Sequence, residues 1–515
     1  MTALLIALSL FGCSQAATTY VPDGYEKIQW AVDNASAGDT IIVRDGVYYE
    51  NININKPHLT IKSENGSANC IVQAANSNDH VFYVTADNVT IKGFTVTGAT
   101  VYPKAGICLH STNNCRIENV IASNNYDGIL LSSSSNNTIA NNTASSNNDD
   151  GIDLRYSSNN IIANNTVSSN NWHGIYLYSS SNNNTIANNN ALNNWHGILL
   201  SSSSNNIIAN NNLSSNNRYG IHLSSSSNNI IANNNLSSNS CDGICLYYSS
   251  NNNTIANNNA LNNYDGILLS SSSNNTIANN NALNNWHGIY LYSSSNNIIA
   301  NNNFINNTES VYSYGSTNIW NSTSQMTYTY EGRTYTNYMG NYWSDYTGSD
   351  ANNDGIGDTP YIIDSDKDNY PLMEQWEIYF EENPSVGIST DKYEYAAGDT
   401  MLINITIANP REEGEEAKFL WQLNIYDYGI TRTIVDNRTI ILPSEYNKTY
   451  NLIWRLPSFS VNFNASFYVA MFNKTTSDKI CEDYAYWRYS GKGKGVKEDV
   501  LHEIEYMERT WAGMI

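Results

Sequence analysis

The residues that could do chemistry in this chain fall into register. Immediately before a glycine that recurs every 22 or 23 residues stand Asp127, Asp150, His173, His196, Tyr219, Asp242, Asp265 and His287. Asp149 and Asp153 flank Asp150, with Arg155 close behind. If successive units stack as strands, these side chains form a column at ~5 Å intervals. Carboxylates that close raise one another's pKa and can divide into an acid and a base. Asp127, Asp149, Asp150, Asp153 and His173 are therefore the catalytic candidates. The bland alternative is a turn position that simply tolerates Asp, His and aromatic rings.

A second column lies beside the first. Tyr126, Trp172, Trp195, Tyr264 and Trp286 place rings at the same phase of the repeat. Exposed rings at regular spacing can stack on sugar faces, so these are the carbohydrate-binding candidates; packing of the turns is the rival explanation. His173 with His196, and His222 with Cys245, fall on adjacent units. Imidazole and thiolate suit Cu(I), but no His/Cys spacing here matches a defined site. Calcium is the better metal expectation, in an acidic loop further on. Asp350, Asn352, Asp354 and Asp358 take positions 1, 3, 5 and 9 of an EF-hand-like loop with Gly355 at position 6. Position 12 is Tyr361 instead of Glu, and Asp364, Asp366 and Asp368 are available to complete the shell. An Asx-turn loop on an acidic surface would have the same composition.

What positions these columns is a tandem array. Gly106-Ile107, Gly128-Ile129, Gly151-Ile152, Gly174-Ile175, Gly197-Ile198, Gly220-Ile221, Gly243-Ile244, Gly266-Ile267 and Gly288-Ile289 mark the units. A period this short has no room for a helix pair, so each unit reads as three short strands, one rung of a β-solenoid. Alternation predicts Ile198, Leu200 and Ile208 inward and Leu199 outward. Leu192, Leu213, Leu236, Leu261 and Leu283 mark the third side. Asn141, Asn164, Asn188, Asn210 and Asn233 should stack as an amide ladder between rungs.

The 515 residues point to more than one domain, and the formal charge of −22 argues against a nucleic-acid partner. Residues 1–16 resemble a secretory leader, with Cys13 as an alternative lipid-anchor site. No later segment is apolar enough to cross a membrane. Asp23-x-x-Glu26 reads as a capping box opening a helix over Tyr25–Asn34 that covers the first rung.

Ala31-Val32-Asp33-Asn34, Gly38-Asp39-Thr40-Ile41-Ile42-Val43-Arg44-Asp45-Gly46 and the Gly-Ile-x-Leu/Asn-Asn-x-Ile repeats together resemble the NosD-type right-handed parallel β-helix proteins of archaeal cell surfaces. The resemblance covers residues 20–373, with regular repeats over 104–307 and a capping segment over 308–373. Gly340-Asn341-Tyr342-Trp343-Ser344-Asp345-Tyr346 resembles the closing segment of archaeal members. It implies an all-β, three-sided right-handed solenoid. It leaves function open, because polysaccharide lyases, epimerases and hydrolases share the architecture.

Residues 384–490 carry seven separated strands in about 100 residues, the pattern of an immunoglobulin-like sandwich. Residues 491–515 read as an amphipathic tail helix. Sequons outside the array, such as Asn404-x-Thr406 and Asn447-x-Thr449, fit a glycosylated extracellular protein. Cys108 and Cys245 share a rung position, but six rung steps put them ~29 Å apart, too far for a disulfide. The expected function is a secreted or cell-surface protein, structural or adhesive, that binds a polysaccharide or glycoprotein without catalysis. The alternatives are a polysaccharide lyase, epimerase or hydrolase acting on an acidic polysaccharide, and a copper-binding accessory protein.

Overall fold

The Asn-Asn and Ser-Ser pairs of the repeat encode its corners. In the unit that begins at Gly197, Ser202 (φ 51°), Asn205 (φ 60°), Asn210 (φ 57°) and Ser215 (φ 58°) are left-handed. Asn is among the few residues that enter this region readily. Each is followed by a buried polar residue: Ser203, Asn206, Asn211 and Asn216. The first residue of each pair bends the chain, and the second points inward. A computed structural model describes residues 16–491 apart from 331–332, 365, 381–383, 410–413, 427–429, 445, 457–461, 476 and 478. The leader through Gln15, Cys13 and the tail helix beyond Gly491 lie outside the described residues.

The inward amides form ladders. Asn211 Oδ1 accepts from the N–H (2.9 Å) and Nδ2 (3.0 Å) of Asn189 on the preceding rung. Asn211 Nδ2 donates to the Ile186 carbonyl (2.9 Å) and to Asn234 Oδ1 (3.0 Å). Parallel ladders run through Asn184, Asn206 and Asn229, and through Asn194, Asn216 and Asn239. The expected column at Asn141, Asn164, Asn188, Asn210 and Asn233 is thus displaced by one residue. Those five are exposed and left-handed, and their C-terminal neighbours build the ladder. Both members of a pair share one period, so only the sign of φ decides which faces in.

Between corners lie short parallel strands in three sheets. Strands such as His196–Ser201 form the first side, a twelve-stranded sheet; strands such as Ile207–Ala209 form the second, with thirteen. The third side has seven strands and then five, joined through bridges of Asn212 to Asn190 and Asn235. Ile198, Leu200 and Ile208 are fully buried, as alternation required. On the third side Leu213 and Leu236 point inward, but Leu192, Leu261 and Leu283 do not. Register pairs Ala191 with Val167 and Ala260 with Leu236, so Ala191, Ala260 and Ala282 take the inward place. The repeat glycine closes the corner between the third and first sides. A Cβ on Gly197 would lie 2.6 Å from the Gly220 carbonyl oxygen and 2.9 Å from Asn216 Nδ2.

The ends are closed differently. The first helix spans Ile28–Asn34, shorter than expected, and no capping box forms. Asp23 pairs with Arg44 instead, at 2.6 Å. The helix N–H groups of Ile28 and Gln29 are held by the carboxylate of Glu50, at 2.9 and 3.0 Å. At the other end Phe304, Trp343 and Tyr361 stack with ring centroids 4.5 and 4.4 Å apart. Asp368, fully buried, accepts from the Asn341 N–H (2.7 Å) and Trp343 Nε1 (3.0 Å). Among the described residues no helix is long and apolar enough to cross a membrane.

The chain divides into Met1–Trp376 and Glu377–Ile515. In the second unit Ser385–Thr390, Thr400–Asn409 and Tyr446–Arg455 form an antiparallel sheet. Five further strands form another, in the order Glu394–Ala396, Lys479–Ser490, Phe463–Asn473, Glu415–Ile425, Ile430–Leu442. Both sheets contribute to one core around Ile403, Ile405, Trp421, Phe467 and Trp487. The cysteines at 70, 108, 115, 241, 245 and 481 are all free.

The ladder yields a direct expectation. Asn211→Leu leaves buried donors on Asn189 and an acceptor on Ile186 unpaired, at about 1–3 kcal/mol for each unsatisfied group. Urea denaturation should show a lowered midpoint, whereas Asn210→Gly, at the exposed left-handed position, should be close to neutral.

Candidate functional site

Asp127, His173, His196, Asp265 and His287 open strands of the first side, Asp150, Tyr219 and Asp242 stand two residues before theirs, and each faces outward beside the residue three positions later. His173 and Tyr176 rings are 4.7 Å apart, and Tyr219 and His222 rings 4.9 Å. Register then stacks each pair on the next rung. His173 and His196 rings are parallel within 7° at 5.3 Å, and His196 and Tyr219 within 5° at 4.9 Å.

One rung breaks this pattern with charge. Residues 149–155 read Asp-Asp-Gly-Ile-Asp-Leu-Arg. Carboxylate oxygens of Asp127, Asp149 and Asp150 lie within 4.8 Å of one another. Asp150 Oδ1 meets His173 Nδ1 at 2.7 Å and accepts the His173 N–H at 3.0 Å. Arg155 Nε donates to Asp153 Oδ2 at 2.5 Å, and its NH2 group stands 3.5 Å from Asp127 Oδ2. Asp149 bonds to the Tyr126 hydroxyl. The structure therefore brings all five catalytic candidates together, with Arg155 against Asp153 and Asp127.

Electrostatics follow from burial. Asp127 and Asp153 are fully buried, and Asp150 nearly so; only Asp149 and His173 reach partway to solvent. Burial, and then the neighbouring Asp153 and Asp150 charges, push the Asp127 carboxyl well above its ordinary range. Burial and Asp150 push Asp153 up to about 8, against the opposing pull of Arg155. Burial, with Asp150 second, also raises Asp149. Further along the column burial lowers His196 to about 2 and His222 to about 4.

The aromatic column rises beside the acidic one. Trp172, Trp195, Tyr264 and Trp286 are 52%, 37%, 53% and 51% exposed. Trp172 and Trp195 meet at 6.3 Å, and Tyr264 and Trp286 stack within 1° at 6.1 Å. Arg218 lies 5.8 Å from the Trp195 ring between the two pairs. Five rung steps from Trp172 to Trp286 make a ridge ~24 Å long. Tyr126 is set apart by Asp149 and meets Tyr102 edge-on at 5.3 Å. Beneath the second pair, His287 Nδ1 meets Asp265 Oδ1 at 2.6 Å and its Nε2 meets Glu309 Oε2 at 3.3 Å. Glu309 stands outside the last Gly-Ile unit, so no repeat signal pointed to it. An open pocket of about 340 Å³ between Tyr83, Lys104, Leu130 and Arg155 was also unforeseen.

The acidic loop closes on itself. Asp350 accepts from the N–H groups of Asp354 (3.1 Å) and Gly355 (2.7 Å), and Asp358 from Ala351 (2.7 Å). Asn352 Nδ2 donates to Asp354 Oδ2 at 3.1 Å. Asp364, Asp366 and Asp368 serve the end of the solenoid: they accept from the N–H groups of Ser313, Asn318 and Asn341 at 3.2, 2.7 and 2.7 Å.

Asp127 and Asp153 hold protons more tightly folded than unfolded, so the folded state binds more protons over a window that for Asp153 runs from about pH 8 down to about pH 4. Their contribution to stability therefore grows as pH falls through this window. The thermal midpoint of Asp153→Asn, compared with the parent chain, should show a smaller gain on going from about pH 8 to about pH 5.

Comparison with known proteins fits this geometry. A family profile described as periplasmic copper-binding protein (NosD) matches residues 32–218 and 196–348. A cell surface glycoprotein of Methanothermus fervidus is 40% identical over 121 residues, 22% of this chain and 19% of that protein, so the chain spans about a fifth of its relative. Among solved structures, a variant of the catalytic domain of GH87 alpha-1,3-glucanase bound to nigerose superposes with a TM-score of 0.50 at 16% identity, over 59% of this chain and 68% of the other. The A-module of Azotobacter vinelandii mannuronan C-5 epimerase AlgE4 gives 0.48 at 19%, over 57% and 94%. At 16% identity the likeness to the glucanase domain speaks to fold alone. Among the described residues the histidines and cysteines form no group of three donors placed to share one copper ion. His173 and His196 lie face to face instead of aiming nitrogens at one point, and Cys245 bonds to Asp242. The only convergent cluster among the described residues is made of hard carboxylate oxygens. With more than half its length matched by the family profile and a parallel β-solenoid beneath that match, the chain belongs to the NosD family.

Proposed function

We propose that this chain is a non-catalytic cell-surface protein whose solenoid binds neutral glycans along the ridge from Trp172 to Trp286. The observation that carries the reading is the exposure of four large rings in two pairs, each on neighbouring rungs. Large aromatic side chains left half in water at rung spacing offer flat apolar faces, and sugar rings are a fitting partner for such faces. The surface location is supported by the likeness to a cell surface glycoprotein. The ridge stands beside Asp149, Asp150, Asp265 and Glu309 on a chain of net charge −22, so a neutral polymer meets less repulsion than an acidic one.

A second reading, catalysis at Asp127–Asp153, draws support from carboxyls whose pKa values are driven apart by their surroundings. Burial argues against it. The two carboxyls raised furthest, Asp127 and Asp153, are the two a polymer cannot touch. The immunoglobulin-like character of residues 384–490 and a stabilising Ca²⁺ in the loop Asp350–Asp358 belong to the same proposal. They suit a surface spacer.

A glycan array followed by titration calorimetry tests the main reading. Trp195→Ala should weaken binding of a neutral oligosaccharide about tenfold, about 1.4 kcal/mol, with an unchanged circular dichroism spectrum. Equal affinity in Trp172→Ala, Trp195→Ala and the parent would refute the ridge. Release of products from a polysaccharide, abolished in Asp150→Asn, would transfer the function to the second reading.

A further inference from the structure

We infer that Asp127, Asp149 and Asp150 together hold one Ca²⁺ ion on the outer face of the solenoid. Oxygens that ligate a single Ca²⁺ at 2.3–2.6 Å can be at most about 5 Å apart. The three carboxylates offer oxygens within 4.8 Å of one another without rearrangement. An all-oxygen set of this kind is suited to a hard cation that tolerates irregular coordination, with water and backbone carbonyls filling the shell.

Donors reach these carboxyl groups from Arg155, on Asp153 Oδ2, and from His173, on Asp150 Oδ1, but none reaches Asp127 Oδ2. Four carboxylates crowd one rung and its neighbour, and Arg155 is the one guanidinium among them, already bonded to Asp153. Asp127 Oδ2 belongs to a fully buried residue and has no hydrogen-bond donor; its cationic neighbour, the Arg155 NH2 group, is 3.5 Å away. Asp153 Oδ1, equally buried, also lacks a donor. Buried carboxylate oxygens without donors cost stability unless something positive approaches them.

The repeat supplies an independent argument. Two residues before the repeat glycine stand Tyr126, Asp149, Trp172, Trp195, Arg218, Cys241, Tyr264 and Trp286. Asp149 is the single carboxylate in that series. It stands between Tyr126 and Trp172, at the level where it can join Asp127 and Asp150. The comparable pair Asp242 and Asp265 has Cys241 and Tyr264 at this position, so it lacks a third carboxylate and forms no such cluster. Asp149 is only partly buried, which leaves a route for the ion from solvent.

The inference stands apart from the glycan reading, since its test contains no sugar. Calorimetric titration of Ca²⁺ into the chelator-treated full chain, carrying Asp350→Asn and Asp354→Asn to silence the distal loop, should show one bound equivalent. That equivalent should vanish on adding Asp149→Asn, with an unchanged circular dichroism spectrum. Terbium luminescence excited through the neighbouring rings gives a second readout without touching the carboxylates. Emission should appear on binding and fall in Trp172→Leu. Absence of a bound equivalent, or one that persists in both Asp149→Asn and Asp150→Asn, would overturn the site, as would terbium emission indifferent to Trp172.

Discussion

The solenoid depends on a constraint at its corners: every inward amide must find its partners on the rungs above and below. A single rung has nowhere to satisfy Asn206, Asn211 and Asn216, and burying any of them unpaired would cost more than its aliphatic neighbours return. Stacking solves all three at once, because the donor left over on one rung meets the acceptor left over on the next. The aliphatic side chains Ile198, Leu200, Ile208 and Leu213 gain their burial from the same neighbours. Polar and apolar cores are thus built by one operation, a translation of about 4.8 Å.

A structure whose rungs complete one another has a problem at each end, and the two ends answer it with carboxylates. Glu50 reaches from the rung beneath to hold the first N–H groups of the covering helix. Asp368 enters from beyond the last repeat to hold Asn341, the final member of an amide ladder, and the indole of Trp343. Burial raises Asp368 to about 6, against the opposing effect of these donors. In both places an acceptor from outside the repeat replaces the rung that is missing.

Against this regularity the rung at Asp149–Arg155 is an exception, and the exception is confined to the outer surface. Its inward residues, Ile152 and Leu154, are those of any other rung. Its outward ones replace a ring and a leucine with carboxylates. The repeat tolerates this because the core is fixed by alternate positions, so the outer face is free to vary. The same freedom lets aromatic pairs gather at Trp172–Trp195 and Tyr264–Trp286 while Arg218 and Cys241 separate them.

Much of this was legible in the linear sequence. The period, the Gly-Ile marker and the alternation of Ile198 and Leu200 follow from local rules, and the columns at Asp127–His287 and Tyr126–Trp286 follow from the period. The amide ladder was placed one residue early, and the third side was assigned to Leu192, Leu261 and Leu283 where Ala191, Ala260 and Ala282 point in. The leucines were grouped by residue type, whereas register aligns Leu213 and Leu236 with Ala191, Ala260 and Ala282, one residue before Leu192, Leu261 and Leu283; the ladder error has a different cause. Periodicity tells which residues are equivalent, but adjacent residues share a period, and only backbone dihedrals at the corner choose between them. The capping box failed for a related reason: Glu50 lies 22 residues from Ile28, and no local pattern can announce a partner one rung away. The sequence alone determined that identical units stack and which side chains share a column. Only the tertiary structure decided which face of each corner is buried, and hence which carboxylates are sealed in and which rings meet water, because those depend on contacts between chain segments that are neighbours only after stacking.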